Sequence, residues 1–117
     1  MTKPKKLIDE FFNRAERIVN DFFGMVGTSG SGRTVYDKLD GKNDLWRVEV
    51  KATHKPSKSV NLEEFKEWKL KAAKDRKQMF AVFMFTDETD ALCIENSVVV
   101  CDTRLFKDMW EMMNEPD

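Results

Sequence analysis

The chain has 117 residues, 41% hydrophobic and 35% charged, with a formal net charge of -1 from 20 basic and 21 acidic side chains. That length predicts one domain over 1–117, and that apolar share excludes a disordered or fibrous chain. The even charge balance argues against a nucleic-acid binder until it is resolved along the chain: residues 51–77 carry 9 basic and 4 acidic side chains, and residues 78–117 carry 2 and 9.

The start, MTKPKKLIDEFF, is basic, but Asp9 and Glu10 interrupt any signal-peptide core. Leu7, Phe11, Ala15, Ile18 and Phe22 recur at helical spacing, with Phe12, Val19 and Phe23 beside them, so a helix is predicted over 7–23 with Gly24 as its stop. Gly27 to Gly32 (GTSGSG) reads as a loop. Arg33 to Asp40 reads as a strand, Asp40 to Asn43 as a turn, and Leu45 to Ala52 as a second strand. In that second strand Trp46, Val48 and Val50 point one way and Arg47, Glu49 and Lys51 the other. Asn61 is a good N-cap for a helix running to about Arg76. Met79 to Phe85 is an unbroken apolar run suited to a central strand. Leu92 to Ile94 and Val98 to Cys101 read as short strands, and Asp102 or Thr103 caps a last helix carrying Leu105, Phe106, Met109, Trp110 and Met113. The predicted class is α/β (α+β), order α-β-β-α-β-β-β-α, with a mixed central sheet flanked by helices.

No apolar run approaches the roughly 20 residues that span a bilayer. Cys93 and Cys101, the only cysteines, have no metal or redox spacing and read as buried free thiols, which with the absent signal sequence predicts an intracellular, cytoplasmic setting. With one histidine, His54, a structural zinc site is not expected.

The pattern that bears chemistry is Asp40 followed by Glu49-Val50-Lys51. Glu49 and Lys51 are two apart on a strand and share a face. The hairpin would bring Asp40 beside Glu49, although Asp37 or Asp44 serves equally if the register differs. Carboxylates gathered on a sheet face must be paired or must hold a metal, and hard oxygens suit Mg²⁺ or Mn²⁺. Such a site could activate water, with Lys51 orienting it or stabilising developing charge. The plainer alternative is a solvated strand with ordinary cross-strand ion pairs.

These residues resemble the PD-(D/E)xK nuclease superfamily, in its Holliday-junction-resolvase-like, phage-type branch. The resemblance rests on Glu16-Arg17 in the first helix, the Gly30-Ser31-Gly32-Arg33 loop, Asp40, Glu49-Val50-Lys51, the loop 52–59, the lysine-bearing helix 65–77 and the apolar strand 80–85. It covers about residues 10–86; Leu39 departs from the Gly or Pro often found before the aspartate. It implies a restriction-endonuclease-like core and an Mg²⁺- or Mn²⁺-dependent endodeoxyribonuclease acting on branched DNA, with Glu16, Asp40 and Glu49 holding metal and Asp40, Glu49 and Lys51 catalytic. It also implies a role in DNA recombination, a phage source and hence a host cytoplasm. Arg17, Ser31, Arg33, Lys55, Lys58, Lys66, Lys69, Lys74 and Lys77 are the expected DNA contacts, since hydroxyls and cationic groups position phosphates. A broad apolar stripe on the last helix, and the need to nick two strands, predict a homodimer. The alternatives are a non-catalytic DNA-binding or assembly module on the same fold, or a restriction- or repair-type nuclease.

Overall fold

The computed structural model describes residues 5–28, 39–87, 89 and 91–115. The elements are α1 (Lys5–Phe23), β1 (Val26–Gly27), β2 (Gly41–Lys42), β3 (Trp46–Thr53), α2 (Leu62–Lys74), β4 (Gln78–Phe85), a 3₁₀ turn (Ile94–Asn96), β5 (Ser97–Cys101) and α3 (Thr103–Met113). The strands form one mixed five-stranded sheet in the order β1-β2-β3-β4-β5. Only β3 and β4 are parallel, and α2 is the crossover that a parallel pair requires. The fold is α+β.

Local chemistry sets the element ends. Gly24 takes φ +65°, a left-handed position that stops α1 at low steric cost. Asn61 caps α2, its Oδ1 accepting from the Glu64 amide at 2.9 Å. Helix α2 ends at Lys74, two residues before the expected stop at Arg76, where the chain turns at φ 58°. Asp102, rather than Thr103, caps α3 by accepting from the Arg104 and Leu105 amides.

The alternation read in β3 divides two cores. Val48, Val50 and Ala52 pack with Phe80, Val82 and Met84 against Phe11, Ala15 and Val19 of α1. On the other face Met79, Ala81 and Phe83 pack against Phe65, Trp68 and Ala72 of α2. Strand β4 is covered on both faces, which is why its sequence is apolar without alternation.

Several expectations are corrected. Leu92 to Ile94 is not a strand: Asn96 N–H donates to Cys93 O and Ser97 Oγ donates to Ile94 O, closing a local 3₁₀ turn instead. Gly41 and Lys42 are strand, not turn; the reversal falls at residues 43–45, where Asn43 Oδ1 accepts from the Leu45 and Trp46 amides. Val26 and Gly27 form an outer strand paired with Lys42 and Gly41, so among the described residues the order is α-β-β-β-α-β-β-α. Of the strand expected over 33–40, only Leu39 and Asp40 lie within the described residues, as a bend leading into β2. Leu7, Phe22 and Leu62, expected on buried stripes, are more than half exposed. Cys93 and Cys101 are free thiols, half-buried rather than buried. No described helix is long and apolar enough to cross a membrane.

Met84 is fully buried in the α1-side core. Met84→Ala is expected to cost about 2–5 kcal/mol in urea-unfolding free energy. Met112→Ala, on an exposed face, should change it by less than about 0.5 kcal/mol.

Candidate metal and catalytic site

Strand β2 is two residues long, and Gly41 and Lys42 pair with Val48 and Arg47. One step further along that antiparallel register, Asp40 stands opposite Glu49. The Asp40 amide donates to Val48 O at 2.9 Å. At the next position along β3 the Val50 amide donates to Asp40 Oδ2 at 2.7 Å. A side-chain carboxylate therefore completes the ladder. Both Asp40 and Glu49 are buried.

Lys51 lies on the same face as Glu49, with Nζ 3.7 Å from Glu49 Oε1 and 5.3 Å from the centroid of Trp68 on α2. It is held between a carboxylate and an aromatic ring. Arg47, the third charge of this face, is buried and pairs with Asp75 just past α2. That pair fastens β3 to the end of α2; its partner was not legible in sequence, because Asp75 lies 28 residues away.

Glu49 carries the strongest electrostatic strain. Its carboxyl is pushed up to about 9, first by burial and next by the charge of Asp40. Lys51 pulls it down, while a hydrogen bond with Asp40 and the charge of Glu16 raise it further. Glu49 Oε2 is buried without a hydrogen-bond partner. An orphaned oxygen beside a second carboxylate is where a cation replaces a proton.

The residues fit a hard divalent ion in one specific sense. Among the described residues no three His, Cys, Asp or Glu side chains form a group able to hold a metal. The protein's share is the Asp40–Glu49 pair, which matches the habit of Mg²⁺ of using one or two carboxylates and completing its shell with water and phosphate. Glu16, half-buried on α1, acts on Glu49 through its charge.

Of the alternatives to Asp40, Asp44 is exposed in the turn and Asp37 lies outside the described residues, as do Ser31 and Arg33. Arg17 is exposed on α1, and Lys55 and Lys58 are exposed in the loop that continues β3 past Lys51. Lys66 is exposed on α2 and pairs with Glu63. Lys69 does not face the carboxylates: its Nζ donates to Asp102 Oδ2 at 2.5 Å. Lys69 and Lys77 line a cleft of about 270 Å³ with Asp102, Arg104 and Asp108. Lys74 is exposed in the last turn of α2. His54 stacks on Phe11 with centroids 4.4 Å apart.

Sequence reading missed Asn20. It is buried, and its Nδ2 donates to Asp40 O at 3.3 Å. The available signal was its place one helical turn after Glu16, on the same flank of α1.

The sign of the pH dependence follows from Glu49. A carboxyl raised from 4.5 to about 9 in the folded state holds its proton there while the unfolded chain releases it. Metal-free protein should therefore be most stable below about pH 4.5 as far as this group goes, and lose that contribution as pH rises through 9. Thermal melts in EDTA across this range should show a decline that Glu49→Gln flattens. An equal decline in both proteins excludes Glu49 as its source.

Comparison with protein-family models, curated proteins and solved structures finds no match to this chain.

Proposed function

We propose that this chain is a metal-dependent endodeoxyribonuclease of restriction-endonuclease-like core, hydrolysing phosphodiester bonds of branched DNA such as a Holliday junction. The observation that carries the reading is the buried Asp40–Glu49 pair with its orphaned oxygen and Lys51 beside it. Asp40 and Glu49 would hold Mg²⁺ or Mn²⁺, with Glu16 adding negative charge nearby. A divalent ion there supplies charge neutralisation at a phosphate and acidifies bound water. Lys51, fixed by Trp68 and Glu49, presents its ammonium at the same edge, where it orients the attacking water or meets charge developing on the phosphate. Lys55 and Lys58 extend the cationic track along the exposed loop. The expectation that DNA lies along Lys69 and Lys77 is set aside, because Lys69 is held by Asp102 and both line a cleft of mixed charge beside α3.

The second partner in this reading is another copy of the chain. No residue of α3 is buried, and Phe106, Trp110 and Met113 are more than half exposed. At ~100° per residue these three fall within one narrow arc, while Leu105 and Met109 turn toward an apolar cleft also lined by Trp46, Phe80 and Cys101. Lys107 and Glu111 flank the exposed arc. Antiparallel pairing of two α3 helices about a twofold axis places Lys107 against the partner's Glu111 and the reverse, so the surface complements itself.

The competing reading is a DNA-binding module without catalysis. Mn²⁺ calorimetry and cleavage of linear, flap, splayed and four-way DNA with Mg²⁺ separate the two. The nuclease reading expects Mn²⁺ binding and cleavage, with Asp40→Asn and Glu49→Gln each lowering the rate roughly 100-fold or more and Lys51→Ala about 100- to 10,000-fold. DNA binding with neither Mn²⁺ binding nor cleavage establishes the module.

For the assembly, sedimentation equilibrium should show a dimer that Trp110→Glu dissociates with its secondary structure retained. A parent chain monomeric at the concentrations used for cleavage overturns the pairing.

A further inference from the structure

We propose that Asn20 and Gly41 form a positioning device for the Asp40 carboxylate, in which α1 is brought onto the sheet through a gap that only glycine leaves open. The consequence for metal binding rests on the function proposed above; the positioning itself does not.

Asp40 is the last residue before β2, and an isolated two-residue strand is a weak anchor. Hydrogen bonds from Thr28, α1 and β3 hold this segment. Thr28 Oγ1 donates to Leu39 O at 2.5 Å, and Asn20 Nδ2 donates to Asp40 O at 3.3 Å. The Asp40 amide donates to Val48 O, and Asp40 Oδ2 accepts from the Val50 amide. The last two fix where the carboxylate points. The first two, from buried side chains, fix the backbone that carries it.

Asn20 reaches Asp40 because Gly41 has no side chain. A Cβ at Gly41 would lie 1.8 Å from Asn20 Oδ1, 2.8 Å from its Cγ and 2.9 Å from Val48 Cγ1. Gly41 pairs across the strands with Gly27, where a Cβ would meet Asn20 Nδ2 at 3.8 Å, an ordinary contact. The amide of Asn20 thus rests on a window of two glycines, one obligatory and one not. Asn20 Oδ1 has no hydrogen-bond partner although it is buried. A core position that only had to be filled would take an apolar residue and avoid that cost. The retained donor is the one aimed at Asp40. Asn20 also stands one turn from Glu16, whose charge acts on Glu49, so one flank of α1 addresses both carboxylates.

The test uses Asn20→Leu, which keeps the branched heavy-atom outline and removes the donor. Amide hydrogen exchange is measured in EDTA by NMR, followed by Mn²⁺ calorimetry on the same proteins. The Val50 amide, held by the Asp40 carboxylate, should lose at least tenfold protection, while Ala81 and Val82 in the central strand keep theirs. Mn²⁺ affinity should fall 10- to 100-fold, as for other residues that orient a ligand. Gly41→Ala should lower the melting temperature where Gly27→Ala does not, and Asn20→Ala should recover part of the Gly41→Ala loss by removing the clash. If the parent binds no Mn²⁺ yet Val50 is selectively exposed, the positioning stands and the metal reading falls. Unchanged Val50 protection, or a loss spread evenly over all amides, overturns the positioning role.

Discussion

The arrangement depends on a strand that ends too early. Where β2 stops, β3 still has an amide to satisfy at Val50, and an unpaired buried amide is costly. Asp40 satisfies it with a carboxylate rather than a carbonyl. That substitution brings a full negative charge to the sheet beside Glu49, which the register places opposite. The two carboxylates are consequences of one short strand, and their mutual repulsion in a buried setting follows directly. A backbone need is met by a group that creates an electrostatic one.

Around this point the two faces of β3 do different work. Even-numbered residues build the α1 core, while odd-numbered residues carry Arg47, Glu49 and Lys51 toward α2. Three charged groups on a covered face are sustainable because each meets a partner: Asp75 for Arg47, Trp68 for Lys51, and Asp40 for Glu49. Only the last pairs like with like. Removing it in favour of an apolar residue should relieve strain, which is the usual bargain at buried ionic groups. Strain kept at one position of an otherwise satisfied face is the observation on which the proposed metal site rests.

Elements with a periodic signal were legible from sequence: the alternation of β3, the apolar run of β4, the Asn61 cap, and the helical stripe of α3. The strands β1 and β2 were not, because two residues carry no period and exist only through pairing with distant chain. Asp40 could be chosen from its place before the glycine, yet the reason it matters, the Val50 amide, is a property of register. Lys69 misled because it was grouped with the other lysines of α2 as a DNA contact. Asp102, 33 residues on, takes it instead. Asn20 was passed over because it looks like the polar side of an amphipathic helix; only the glycine gap opposite turns that side inward.

The charge pattern is altered by the same contacts. The basic segment 51–77 is not one surface. Its far end is drawn to the acidic C-terminal third through Lys69 and Asp102, whose carboxyl is held below its usual range first by that hydrogen bond. Asp102 simultaneously caps α3, so the same carboxylate ties α2 to the start of the last helix. Among the described residues Lys51 stands beside Glu49, and Lys55 and Lys58 follow it on the exposed loop past β3, a short track in sequence. Each phosphate neutralised contributes a slope of about -0.9 to the logarithmic salt dependence of duplex binding, so under the proposed function three such lysines would give one chain only weak, salt-sensitive affinity. Two copies joined through α3 would double the track and hold both halves at a fixed separation. On that proposal, for a small domain with little surface for reading bases, a fixed spacing between two short cationic tracks would be the more available source of selectivity, because it would measure the shape of DNA rather than its sequence.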